Sequence, residues 1–239
     1  MKTISFLLAT SASLWAFQSA AATVDITGIS GVWSNVTGGE LVSIASDGSS
    51  VTWGTPQSSS KSGYSFSAAS PTQALAADTQ TTLGIFTHSN FPINAGGGIT
   101  SATLTVVIDL LIDGQAESTS SVFSFKHWET DNAGNCPGGT PSDNVNGCSD
   151  QVKAALNVAQ STGFTLGDDT YYFNVSGFTV DGTLLQEFWT KERASNSASL
   201  TGYYTLESNL PAVPLPAAGI LLLSGLGAIG VIRARRKAA

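Results

Sequence analysis

Residues 102–113 limit the fold of this chain more than any other stretch. Ala102, Leu104, Val106, Ile108, Leu110 and Ile112 occupy alternate positions, with Thr103, Thr105, Val107, Asp109, Leu111 and Asp113 between them. Side chains switch faces every residue in a strand, whereas a helical face repeats about every 3.6 residues. The pattern therefore requires a long strand with one buried face. Asp113-Gly114 ends it with a pair suited to a tight turn, and residues 121–129 are expected to form the hairpin partner.

The same periodicity recurs along the chain. Tyr171, Phe173 and Val175 alternate with Tyr172, Asn174 and Ser176, and Leu200, Tyr204 and Leu206 alternate with Thr201, Tyr203 and Thr205. Shorter candidates are residues 24–29, 32–36, 50–53, 64–68 and 83–88, separated by Gly, Ser, Thr and Asn that suit turns. Residues 150–159 fit two patterns: Val152, Ala155, Leu156 and Ala159 make a helical face, and Val152, Ala154, Leu156 and Val158 a strand face. Neighbouring strands favour the second. About ten short strands predict an all-β fold, a single antiparallel β-sandwich of jelly-roll-like form over residues 23–208. The Ser/Ala-rich residues 57–78 are the expected long loop, and no internal repeat is evident.

Both ends carry targeting features. Lys2, an apolar run over residues 4–17 and Ala20-Ala21-Ala22 make residues 1–22 a secretory signal peptide cut between Ala22 and Thr23. At the other end, residues 209–216 read as a linker into Val213, Pro214, Leu215, Pro216 and Ala217. The prolines lack a donor N–H and fix φ, which keeps the chain before them extended. Residues 217–232 carry no charge and would make roughly 24 Å of helix at about 1.5 Å per residue. That is short of a hydrocarbon core of about 30 Å, so the segment is a marginal transmembrane helix. Arg233, Arg235, Arg236 and Lys237 in the tail 233–239 would hold its end in the cytoplasm. A plain stop-transfer anchor or a buried core helix is the competing reading.

Motif, span and cations in this order resemble the VPLPA variant of the PEP-CTERM sorting signal, which a membrane-embedded exosortase reads. Thr87, His88, Ser89 and Asn90, followed by Phe91-Pro92-Ile93, are similar to the hallmark of the THxN family of PEP-CTERM proteins. The resemblance implies an exported β-rich domain, briefly anchored in the inner membrane and then delivered to the cell surface or outside it. It carries no known reaction. The expected partners are the Sec translocon, signal peptidase, exosortase and exopolysaccharide.

Charge narrows the functions further. Residues 23–212 hold five of the ten Lys and Arg against all 17 Asp and Glu, a balance of −12. A nucleic-acid-binding face needs the opposite sign. Cys136 and Cys148, an even count in an exported chain, read as a disulfide closing a Gly/Pro/Asn-rich loop.

The candidates for chemistry are few. His127 shares a strand face with Phe123 and Phe125 and reads as a half-buried core histidine. His88 is placed at a strand end, with Thr87 and Asn90 bonding turn backbone and metal or ligand binding as the alternative. No G-x-S-x-G elbow supports a Ser–His–Asp triad. Glu129, Asp131, Asn132, Asn135, Asp143, Asn144, Asn146 and Asp150 offer oxygens that suit Ca²⁺, without EF-hand spacing. Trp53, Tyr64, Trp128 and Trp189 would stack on sugar rings if exposed. The expectation is a non-catalytic surface or matrix protein with neither catalytic residues nor a metal site. The alternative is a carbohydrate-active enzyme or carbohydrate-binding protein sorted by the same route.

Overall fold

The computed structural model describes residues 23–132, 135–156, 163–166, 169–185 and 187–208. The predicted signal peptide, linker, sorting motif, transmembrane helix and basic tail, Arg233, Arg235, Arg236 and Lys237 included, lie outside them.

Among the described residues thirteen strands follow one another: β1 (Val24–Gly38), β2 (Ser43–Ile44), β3 (Ser50–Trp53), β4 (Ser62–Ala68), β5 (Thr81–Asn90), β6 (Ile99–Ile112), β7 (Gln115–Trp128), β8 (Asp150–Leu156), β9 (Gly163–Leu166), β10 (Asp169–Val180), β11 (Thr183–Leu185), β12 (Glu187–Thr190) and β13 (Ala194–Ser208). They form a five-stranded sheet, β1-β6-β7-β8-β12, and an eight-stranded sheet, β11-β10-β13-β5-β4-β3-β2, with β9 added beside β10. Neighbouring strands run antiparallel throughout.

β6 carries the alternation seen in the sequence. Ala102, Leu104, Val106, Ile108, Leu110 and Ile112 are all buried. Asp113 and Gly114 have φ of 47° and 81°, as a two-residue type I′ turn requires, and Ile112 pairs directly with Gln115. The hairpin therefore closes at once, and β7 starts six residues before the expected strand, with its first four side chains exposed. The candidates at 24–29 and 32–36 are likewise one strand, β1, which pairs with β6 in unbroken register through Ser30 and Gly31.

The ambiguous segment is a strand as far as Leu156, because β8 has a partner on each side, β7 and β12. Residues 157–159 lie outside the described set. The expected long loop is shortened by β4, and the rest straps across the body. Leu75 bridges to Val24, and Asp78 N–H donates to the Tyr204 carbonyl at 2.8 Å.

The two sheets curl into a half-barrel around one core. Trp33 of β1 meets Tyr64 of β4, Phe86 of β5 and Phe125 of β7, with ring centroids 5.2, 6.0 and 5.0 Å away. Phe86 and Phe125 stack at 5.0 Å from opposite sheets. Each such ring contributes about 1.5–3 kcal/mol by leaving water. Beyond Tyr64 this apolar layer gives way to buried polar groups.

Candidate functional site

Thr87, His88, Ser89 and Asn90 all lie within β5, so the strand's period of two splits them. Thr87 and Ser89 face outward, where their hydroxyls meet Ser197 and Ser195 of β13 at 2.9 and 3.4 Å. His88 and Asn90 face inward and are fully buried. The expectation that Thr87 and Asn90 bond turn backbone is corrected: the strand continues through Asn90, whose amide donates to the Thr190 carbonyl at 3.0 Å.

Four other strands deliver their side chains to the same place. On β7, His127 follows Phe123 and Phe125 on the inner face, and its side chain is fully buried rather than half-buried. Asp150 starts β8 and pairs with Thr190 at the end of β12. Tyr64 of β4 is the cross-strand partner of His88. One ligand atom from each of His88, His127 and Asp150 lies within 4.8 Å of the others.

Hydrogen bonds fix the protons on both rings. Thr190 Oγ1 donates to the Asp150 carbonyl at 3.1 Å, which uses its only proton. Its 2.9 Å contact with His88 Nδ1 therefore has the ring N–H as donor. His88 Nε2 then carries a bare lone pair, fully buried and without a hydrogen-bond partner among the described residues. Tyr64 Oη lies 2.7 Å from His127 Nδ1, and His127 Nε2 lies 3.2 Å from Glu129 Oε2. With the carboxylate accepting from Nε2–H, the Tyr64 hydroxyl donates to Nδ1. Asp150 Oδ1 accepts from Thr130 N–H at 2.8 Å, while Oδ2 is buried without a partner, 3.9 Å from His127 Nε2.

Burial dominates the electrostatics. It holds His88 well below the usual imidazole range, helped by His127, and lowers His127 to about 4 against the pull of Asp150. It raises Glu129 to about 7, opposed by the Trp53 indole N–H. Asp150 also rises to about 7 through burial and then the Glu129 charge. Tyr64 is pushed well above the usual phenol range, so its hydroxyl keeps its proton. Contacts that resemble ion pairs therefore join neutral imidazoles to carboxyls that resist ionisation. An isolated charge in such surroundings is strongly disfavoured.

The adjacent loop holds Asp150 in place. Cys136 and Cys148 are bonded, as expected, with Cα atoms 5.0 Å apart. Thr130 Oγ1 donates to the Cys148 and Ser149 carbonyls, and Asn132 Oδ1 accepts from Cys148 N–H. Asn144 Oδ1 accepts from Ser149, and Asp143 Oδ2 from Thr140. The oxygens considered for calcium thus serve the loop's own backbone at Asn132, Asp143 and Asn144. Glu129 and Asp150 turn instead toward the histidines, and Asn135 and Asn146 are exposed. Beside Glu129 a cleft of about 370 Å³ reaches His127, bordered by Asn94, Trp128 and Asn132.

The four aromatics divide. Trp53 and Tyr64 are buried against the histidines, which corrects any role for them at a sugar-binding surface. Trp128 is 49% exposed, with its ring centroid 6.2 Å from that of Trp189. Thr190 had no signal in the sequence, since a threonine ending a short strand resembles any other. No protein-family model matches the chain, and no curated protein is detectably similar to it.

Proposed function

We propose that the chain is an exported, non-catalytic protein of the cell surface or extracellular matrix, sorted by exosortase as its resemblance to THxN-type PEP-CTERM proteins implies. Its body is read as a single jelly-roll-like β-sandwich between two disposable ends. The observation that carries this is how the described body begins and ends. Thr23 N–H donates to Asp113 Oδ1 at 2.8 Å, and Asp113 N–H donates to the Thr23 carbonyl at 3.0 Å. Cleavage after Ala22 would leave a new α-ammonium beside that carboxylate. At the other end β13 runs to Ser208 between β10 and β5. A cut within residues 213–217 would leave every described strand in the body.

In this reading the Sec translocon and signal peptidase deliver the body across the inner membrane. The marginal helix 217–232 holds it there, with Arg233, Arg235, Arg236 and Lys237 on the cytoplasmic side. Exosortase then cuts near Val213, Pro214, Leu215, Pro216 and Ala217 and passes the body outward. The test is terminal sequencing of the released protein beside a Pro214→Ala/Pro216→Ala variant. The reading expects a start at Thr23, an end near residue 215, and a variant exported but trapped uncut. A start at Met1 would overturn export with cleavage, and equal release of the variant would leave a plain stop-transfer anchor.

A second reading, carbohydrate binding, is favoured by one feature. Trp128 and Trp189 flank Gln151 in one register row across β7, β8 and β12. A half-exposed tryptophan pair beside a polar cleft suits stacking on sugar rings. The exopolysaccharide of the matrix is the ligand this chemistry fits.

A further inference from the structure

We propose that His88, His127 and Asp150 form a binding site for one divalent transition-metal ion of the zinc class, buried between the two sheets with Glu129 at its mouth. The inference is independent of the sorting reading and stands whether or not the tail is processed.

The donor set argues for such an ion. His88 Nδ1–H is committed to Thr190, so Nε2 presents a lone pair in a fixed direction with no proton to meet it. Asp150 is arranged in the same way, Oδ1 held by Thr130 N–H and Oδ2 left over. A buried histidine serving only the hydrogen-bond network would have both nitrogens satisfied. Two lone pairs without donors, close together in a water-poor core, are instead what a cation neutralises. Metal-binding histidines characteristically have their second nitrogen held by a neighbouring group, and here Thr190 and Tyr64 hold Nδ1 of each ring.

The spacing fits as well. Tetrahedral ligands about 2.0–2.1 Å from zinc lie roughly 3.4 Å apart. His127 Nε2 and Asp150 Oδ2 are 3.9 Å apart, too long for a hydrogen bond and within a small side-chain movement of that geometry. On binding, the His127 ring would change tautomer, its single proton passing from Nε2 to Nδ1, and Nδ1–H would then donate to the oxygen of Tyr64, which keeps its own proton. Asp150 and Glu129 together balance the charge of a divalent ion. Two imidazoles favour zinc, cobalt, nickel or copper over calcium and magnesium, which prefer oxygen. Entry is from the cleft beside Glu129, whose side chain keeps 19% of its surface exposed.

The test uses the untagged full-length protein, stripped with a chelator and titrated with Co²⁺ and then Zn²⁺. The chain has two histidines, so imidazole ligation can come only from these two. The expected result is one Co²⁺ per chain, visible d–d absorption of nitrogen/oxygen ligation, and two paramagnetically shifted imidazole N–H proton resonances. Zn²⁺ should displace the cobalt and raise the melting temperature. Thr190→Val should weaken Zn²⁺ binding about 10–100-fold, as expected for loss of a group that orients a ligand. Asp143→Asn, in the neighbouring loop, should bind like the native chain. His88→Asn should abolish the cobalt spectrum, and if it does not fold, the two shifted resonances of the native protein decide. Absence of binding, a spectrum without imidazole resonances, or a site retained in folded His88→Asn would overturn the proposal.

Discussion

Thr190 Oγ1 lies 2.9 Å from His88 Nδ1, tying the end of a short strand in one sheet to the inner face of the other. Because this hydroxyl already donates to the Asp150 carbonyl, one side chain sets the tautomer of His88 and links it to β8. Thr190→Val keeps the shape and removes both hydrogen bonds, leaving a ring N–H and a carbonyl unpaired. The expected loss of stability is about 1–3 kcal/mol, read from denaturant melts. Thr190→Ser should recover most of it.

Trp33 joins the sheets at the centre of the aromatic layer, in contact with Tyr64, Phe86 and Phe125. Replacement by Ala should cost about 3–5 kcal/mol, since the cavity can close only if strands of both sheets move. The check is the unfolding midpoint. Leu184→Ala, at a 56% exposed position, should shift it little.

Reducing Cys136–Cys148, or the double Ser variant, should destabilise the chain by about 3 kcal/mol in the chain-entropy view. The loss should begin locally, because the loop's hydrogen bonds converge on Thr130, Ser149 and Asp150. Amide exchange should therefore rise first at residues 130–132 and 148–150. Uniform acceleration across β6 would argue against such a local role.

If the chain binds carbohydrate as proposed, Trp128→Ala should abolish its retention on exopolysaccharide with little change in melting temperature, since the ring is half in solvent. Gly138→Ala offers an indirect check. Its Cβ would clash with the Trp189 ring, so the indole must shift. Retention should fall and tryptophan fluorescence should change. Unaltered retention in both variants would remove the carbohydrate reading.

Strand alternation was legible because it is local. The inner residues of β6, the inward face of Phe123, Phe125 and His127, and the Asp113-Gly114 turn all follow from neighbouring positions in the chain. The full length of β7 was hidden for a physical reason as well. A tight turn imposes pairing on Gln115–Ser118, whose side chains bury nothing and leave no hydrophobic signature. The disulfide could also be read from sequence, with two cysteines flanking a loop of turn residues.

The buried polar centre could not. His88, His127, Asp150 and Thr190 lie on four strands, and no spacing along the chain relates them. What joins them is the register of β8 against β7 and β12, together with the packing of those strands on β5 across the core. By itself the sequence determined an all-β body with alternating faces, because side-chain direction in a strand depends only on position. Only the tertiary structure decided that two histidines and a carboxylate share one dry space, because that depends on how two sheets pack.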